Sequence, residues 1–222
     1  MRTIVLAAAK GGVGKSTLTM GLAVAAILSN PTLRVGLVDL DPQGSLTAWW
    51  NSRERSSLEL FERGKQEIAV IQDYLASAGF DLVFFDCPPG FNTVLREAIS
   101  VADLVLVPTG ASVLDLMAVS STAQMAQQVG VPYHFVLSRV SFRTRITGDA
   151  INLLRDNNVM TLPIIYQRVL VATAMATGHT ALEIDPNSEA GKEQAALWRA
   201  VQAQLASLPM RSPCHSGKGA QP

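Results

Sequence analysis

Residues 2 to 17, RTIVLAAAKGGVGKST, restrict the possible folds of this chain more than any other stretch. A short apolar run, RTIVLAA, leads without polar interruption into Gly11, Gly12 and Gly14, as a parallel strand buried on both faces would. From Lys15 to Ser29 the sequence turns Ala- and Leu-rich with helical character, and Asn30-Pro31 stops it. Strand, glycine-rich loop and helix in that order make a βα unit.

The rest of the chain repeats the alternation. RVGLVDLD (34 to 41) reads as a second strand ending in two aspartates. DLVFFDCPPG (81 to 90) reads as a third, ending in one aspartate and a double proline that forbids continuation. DLVLVPT (103 to 109) and YHFVLSR (133 to 139) complete the central strands, with helical patterns near 92 to 101 and 112 to 130. Two later helices are expected over 146 to 157 and 187 to 207, with a short strand near 161 to 166 between them. The fold class is therefore α/β, a single doubly wound and mainly parallel sheet with helices on both faces. In such sheets ligands gather at the carboxyl ends of the strands. The glycine loop, Asp39, Asp41 and Asp86 all fall there.

Residues 1 to 207 form one domain on this reading, with no internal repeat or linker. Residues 208 to 222, rich in Pro, Gly and Ser, are expected to be a disordered tail. A length of 222 residues with 48% hydrophobic and 16% charged side chains suits one compact domain and argues against disorder elsewhere. Eighteen basic and eighteen acidic residues cancel, so binding to a polyanion has to come from a local patch. Cys87 and Cys214 lie far apart without metal-ligand spacing, which suits a reducing cytoplasm and argues against a disulfide framework. The N-terminus lacks the ordered regions of a signal peptide, and no apolar run reaches the ~18 residues of a membrane span, so a soluble cytoplasmic protein is expected.

The glycines let the backbone curl with its N–H groups inward, and the following helix adds its positive end, so the loop is built for an anion. Phosphate is the natural one. Gly-Lys-Ser at 14 to 16 places Lys15 to reach β- and γ-phosphates and the Ser16 hydroxyl to ligate Mg²⁺. Asp86 fits the Walker B role of holding that metal. Two departures from the ordinary Walker A pattern stand out: Ala9 where a glycine is usual, and a second lysine, Lys10. Taken alone, Lys10 reads equally as a solvated loop residue and as a charge awaiting a counter-charge.

KGGVGKST (Lys10 to Thr17), DLDPQGS (Asp39 to Ser45) and DCPPG (Asp86 to Gly90), in that order, resemble the three signatures of the deviant-Walker ATPases of the ParA/MinD family. The short chain is most similar to the small ParF-like plasmid-partition branch. PTGASVLDL (108 to 116) resembles that branch's Pro-x-x-Pro-Ser-Pro-Leu-Asp stretch, with Ala111 and Val113 where prolines are common. The resemblance implies slow ATP hydrolysis with ATP and Mg²⁺ as cofactors. Lys10, Gly11, Gly12, Val13, Gly14, Lys15, Ser16 and Thr17 would bind the nucleotide, and Ser16, Asp39 and Asp86 would serve the metal, Asp39 from its outer shell. Lys10, Lys15 and Asp41 would act in hydrolysis, Asp41 by orienting the attacking water. Lys10 would cross the interface of an ATP-bound homodimer to touch the partner's phosphates. Pro42, Gln43 and Gly90 would move with nucleotide state.

The family's usual further partners are nonspecific DNA, which would make the protein nucleoid-associated, and a ParB/ParG-like adaptor that stimulates hydrolysis. Between 139 and 168 lie Arg139, Arg143, Arg145, Arg155 and Arg168, against only Asp149 and Asp156. SRVSFRTRIT resembles the family's DNA-contacting segment, so Arg143, Arg145 and Arg168 are the DNA candidates, with a merely solvated face as the other reading. A MinD-like membrane-associated positioning ATPase is the alternative. It needs a basic amphipathic C-terminal helix, whereas NSEAGKEQAALWRAVQAQLASL is Ala-rich and charge-balanced, so Trp198 and Leu205 are expected in the core and no integral membrane contact is expected. A metabolic phosphate-loop enzyme is disfavoured by Lys10 and by the lack of a second-substrate motif. The nitrogenase iron protein would require bridging cysteines.

Overall fold

The computed structural model describes residues 1–54, 57–156 and 162–209. Seven parallel strands form one sheet in the order β3-β2-β4-β1-β5-β6-β7. They are β1 (Arg2–Leu6), β2 (Val35–Asp39), β3 (Leu58–Glu62), β4 (Leu82–Asp86), β5 (Leu104–Thr109), β6 (Tyr133–Val140) and β7 (Ile165–Tyr166). The helices between and after them are α1 (Lys15–Ser29), α2 (Ser45–Asn51), α3 (Ile68–Ser77), α4 (Thr93–Val101), α5 (Val113–Val129), α6 (Arg145–Asp156), α7 (Val169–Ala176), α8 (Ala181–Ile184) and α9 (Glu189–Ser207).

The period of two along each strand divides the core into two layers. Ile4 and Leu6 of β1, Leu37 of β2 and Leu82 and Phe84 of β4 face the layer built from α1, α2 and α9. Val5, Val38, Val83 and Phe85 face the layer built from α3, α4 and α5. Both faces are covered, so these strands are apolar throughout instead of alternating. Each buried Phe or Leu here contributes about 1.5–3 kcal/mol of hydrophobic stabilisation. The face of α9 carrying Leu197, Trp198, Val201 and Leu205 is buried, and Trp198 Nε1 donates to Ser29 Oγ at the end of α1 at 2.8 Å. Trp198 and Leu205 are core residues, as their Ala-rich context predicts.

Several elements were not legible in the sequence. β3, α2, α3, α7 and α8 add to the elements the sequence predicts, and Leu82–Asp86 is accordingly the fourth strand in chain order. β3 escapes notice because it is an edge strand with Glu59 and Glu62 among its five residues, so it lacks the apolar run of the central strands. The strand expected near 161 to 166 is confined to Ile165–Tyr166 among the described residues. Residues 157 to 161 and 210 to 222, including Cys214 and most of the expected tail, lie outside the described residues.

Candidate active site

The register of the sheet assembles the site. Leu6, the last residue of β1, pairs with Asp86, the last of β4, and Asp86 in turn pairs with Asp39, the last of β2. The loops leaving these strands therefore share one rim. The β1 loop ends on Gly14, the N-cap of α1, with φ 93° in the left-handed region that favours glycine. A Cβ at Gly14 would also stand 2.8 Å from Ser138 Oγ and 3.3 Å from Arg139 Cδ. No acidic residue occupies the first turn of α1, so nothing offsets the positive end of its dipole. Val13 and Lys15 are buried, Lys15 with only 6% of its surface exposed, while Gly11 and Gly12 face solvent. Bonds from outside hold the loop, among them Gly90 N–H donating to Ala9 O at 2.9 Å and Arg139 Nη1 donating to Gly12 O at 2.7 Å. Gly90 thus ties the double-proline segment to the phosphate loop.

Thr17, in the first turn of α1, lines a cavity of about 630 Å³ together with Ser138, Arg139, Tyr166, Arg168 and Met175. That volume lies in the range of small-molecule sites, and its lining residue Arg139 also reaches the phosphate loop. The sequence offered no signal for this cavity, because its lining comes mainly from β6, β7 and α7.

Asp86 is fully buried, and neither carboxylate oxygen meets a donor at full hydrogen-bonding geometry. Burial pushes its carboxyl up to about 7; the Ser16 hydroxyl and Lys15 pull the other way, and Asp39 and Asp41 add to the rise. Such an orphaned carboxylate beside Ser16 fits a divalent cation. Among the described residues no group of three or more His, Cys, Asp or Glu could cage a metal. Mg²⁺ keeps several waters and takes a few oxygens from protein and phosphate, and Asp86 with Ser16 beside it would supply the protein's share. When bound, it would neutralise phosphate charge. Cys87, next in sequence, is fully buried, and burial raises its thiol far above the ordinary range, so it is an inert core residue.

Asp39 is less free for an outer-shell role than the sequence suggests. Its Oδ1 accepts from Asp41 N at 3.1 Å, and its Oδ2 accepts from both Thr47 N and Thr47 Oγ1 at 2.9 Å. Asp41 is half-buried, and its Oδ1 accepts from Gln43 N at 3.0 Å.

Lys10 stands on the rim, half-exposed, with its ammonium on Asp115 Oδ1. Asp115 is fixed by a capping box at the start of α5: its Oδ2 accepts from Ser112 N and Oγ, and Ser112 Oγ accepts from Asp115 N. A Cβ at Gly110 would collide with the Asp115 carboxylate, so the glycine makes room for it. Burial opposes ionisation of Asp115, but the bonds from Lys10 and Ser112 outweigh it and hold the carboxyl below the usual range. The counter-charge for Lys10 in this state thus lies in the stretch PTGASVLDL. Nothing in the spacing of that stretch marks Asp115 for this part, because the pairing spans 105 residues.

The arginines separate. Arg139 and Arg143 both adopt left-handed φ, 55° and 54°, a conformation costly for a residue with a side chain. Arg139 turns to the phosphate loop. Arg143 and Arg168 converge on the half-exposed Phe142 ring, their guanidinium carbons 5.0 and 5.2 Å from its centroid. Arg145, at the start of α6, is 95% exposed and only loosely paired with Asp149 at 3.7 Å. Arg168 is already balanced by Glu193 at 2.6 Å, so it is the least available of the three for an external anion.

A phosphate loop between β1 and α1, an orphaned aspartate beside it and a parallel sheet define a phosphate-loop nucleotide hydrolase. The CobQ/CobB/MinD/ParA nucleotide binding domain matches residues 4–181, and the chain belongs to this family. It is a ParA/MinD-type ATPase with ATP and Mg²⁺ as its cofactors. It is 31% identical over 156 residues to the maintenance of carboxysome distribution protein A of Gloeobacter kilaueensis, covering 69% of each chain. It is also 31% identical over 158 residues to the chromosome-partitioning ATPase Soj of Thermus thermophilus, covering 58% of this chain and 63% of Soj. The Aquifex aeolicus MinD of a MinC:MinD complex superposes with TM-score 0.77 at 18% identity, over 96% of this chain and 99% of that one. Apo McdA of Cyanothece does so with TM-score 0.72 at 20% identity, over 90% and 99%. At these identities the structures speak for the fold. Among the described residues no helix is long and apolar enough to cross a membrane.

Proposed function

We propose that this ATPase forms an ATP-dependent sandwich dimer that binds nonspecific DNA and positions a cargo, such as a plasmid or a protein body, with hydrolysis stimulated by a ParB/ParG-like adaptor. The observation that carries this reading is the placement of Lys10. Its ammonium lies half-exposed on Asp115 of α5, and the same helix exposes the large apolar side chains Val113, Leu114 and Met117. A half-exposed charge held on a helix that also exposes apolar side chains fits a face that a second subunit covers. An ammonium 4 Å from a phosphate charge gains roughly 4 kcal/mol at an effective dielectric of 20, before desolvation is subtracted. That gain exists only when a nucleotide is loaded, which makes association depend on ATP. Asp41 orients the attacking water, and Lys15, Ser16 and Asp86 hold phosphate and metal.

DNA binding is supported by Arg143 and Arg145 on an exposed surface of a chain with no net charge. Phosphate contact alone gives binding without sequence preference. A dimer doubles the arginines available to one duplex, so retention requires ATP and places the protein on the nucleoid. The relatives named for carboxysome distribution and chromosome partitioning make cargo positioning the natural use of such a dimer. The test is duplex binding by the wild type and by Arg143→Ala/Arg145→Ala, with ATP and with ADP, across a salt series. The wild type should bind only with ATP, and each lost contact should lower the slope of log affinity against log salt by about 0.9. Wild-type affinity and slope in the double variant would return these arginines to a solvated face, and ATP-dependent sedimentation with anionic vesicles in place of DNA would favour a membrane-associated relative.

A further inference from the structure

We infer that Thr47 is a positioning residue for ATP hydrolysis, holding through Asp39 the loop that presents Asp41. The inference rests on the reading of Asp41 as the residue that orients the attacking water.

The loop between β2 and α2 is mostly exposed at Pro42, Gln43 and Ser45. At its start Leu40 N–H donates to Asp86 O at 2.9 Å; beyond Leu40 its own bonds are short-range, Gly44 N–H donating to Asp41 O at 2.9 Å and Gln43 N–H to Asp41 Oδ1 at 3.0 Å. Asp41 N–H reaches back to Asp39 Oδ1, so the Asp39 carboxylate ties the loop to the sheet at its start. The other oxygen of the same carboxylate takes the Thr47 N–H and hydroxyl, which ties the loop at its end. One carboxylate therefore closes the loop from both sides. It also caps α2, whose own N-cap, Gly44, has no side chain to do so.

Thr47 is a fixed donor because α2 is firmly seated. Leu46 and Trp49 on either side of it are buried. Trp49 Nε1 donates to His179 O at 3.1 Å, and Arg53, just past the helix, donates to Gly178 O at 2.8 Å. Gly178 lies so close that an added Cβ would stand 2.6 Å from the Ser52 carbonyl. A carboxylate has about four acceptor positions. The three donors occupy most of them and leave the Asp39 head one orientation, with a lone pair to spare for a metal-bound water.

The hydroxyl is the separable part of this device. Thr47→Val removes it while keeping the branched shape and the backbone N–H. Thr47→Ser restores it. With purified full-length protein and Mg·ATP, Thr47→Val should lower kcat about tenfold, as expected for one lost hydrogen bond to a carboxylate. KM for Mg·ATP should stay near wild type, the thermal midpoint should fall by only about 2–4 °C, and Thr47→Ser should recover most of the rate. An unchanged kcat in Thr47→Val overturns the inference. So does a joint change of kcat and KM, or a Thr47→Ser that does not recover, since either marks a structural role only. Asp41→Ala run in parallel separates the two readings. If it hydrolyses at the wild-type rate, the reading of Asp41 falls and takes this inference with it; if it is inactive while Thr47→Val is normal, only the inference on Thr47 falls.

Discussion

Asp115→Asn should tighten the ATP-dependent dimer. In the state described here Lys10 is engaged by Asp115 within its own subunit. For Lys10 to serve a neighbour's phosphates, that pair has to open in both subunits. The side chains are 51% and 14% exposed, so the pair is closer to a surface bridge than to a buried one. Its worth is about 1 kcal/mol, well below the unscreened Coulomb figure. Two pairs opening per dimer cost about 2 kcal/mol, a factor of roughly 30 in the dimer constant. Asparagine keeps the size of the side chain and an acceptor for Ser112, so the capping box survives with only the loss of charge near the start of α5, about 0.3–1 kcal/mol. The measurement is sedimentation equilibrium with Mg·ATP in an Asp41→Ala background, which should slow turnover, repeated with Lys10→Ala present. Asp115→Asn should strengthen the dimer about 30-fold when Lys10 is intact and have no effect when it is absent, a coupling that only a direct pair produces. A dimer constant that is unchanged or weaker in the Lys10 background would refute the reasoning and indicate that Asp115 steers Lys10 toward its partner instead of retaining it.

Two further outcomes follow from the geometry. Gly14→Ala should destabilise the fold more than Gly12→Ala. Both positions have positive φ, costing about 1–2 kcal/mol each, but only at Gly14 would the new Cβ collide with Ser138, whereas nothing lies within 4 Å at Gly12; thermal midpoints with and without Mg·ATP test this. Burial opposes ionisation of Glu183, yet the bond and charge of Arg53, together with Thr180, outweigh it and hold the carboxyl below its ordinary value. A depressed carboxyl contributes stability that is fully present above its unfolded value of about 4.3 and is lost as pH falls through the folded value. Glu183→Gln should therefore lower stability at neutral pH and flatten the acid limb of the stability curve, measured as denaturant midpoints between pH 3 and 7. An unaltered acid limb would assign the pair Arg53–Glu183 no role in it.

The phosphate loop, the central strands and the aspartates were legible in the sequence because their signals are local. A doubly buried strand has to be apolar at every position, a loop that wraps an anion has to be rich in glycine, and a strand-end aspartate is adjacent in sequence to the strand that presents it. RTIVLAA, Gly11 to Gly14, Asp39 and Asp86 can each be read without knowing what lies across from them. The edge strand β3 and the helices α2, α7 and α8 could not be read this way. Their burial is partial or depends on distant neighbours, as when Gly178 admits the backbone of Ser52 or Trp49 finds the carbonyl of His179. The same holds for function. Sequence spacing marked Lys10 as unusual, but its counter-charge comes from Asp115, 105 residues away. Arg139 and Arg168 belong to one basic cluster, yet one turns to Gly12 of the phosphate loop, 127 residues away, and the other to Glu193, 25 residues away. Pairings across such distances are set by where the sheet order puts each loop, and electrostatic partners chosen by proximity in space leave no periodic trace in the chain. The tertiary structure alone decided them.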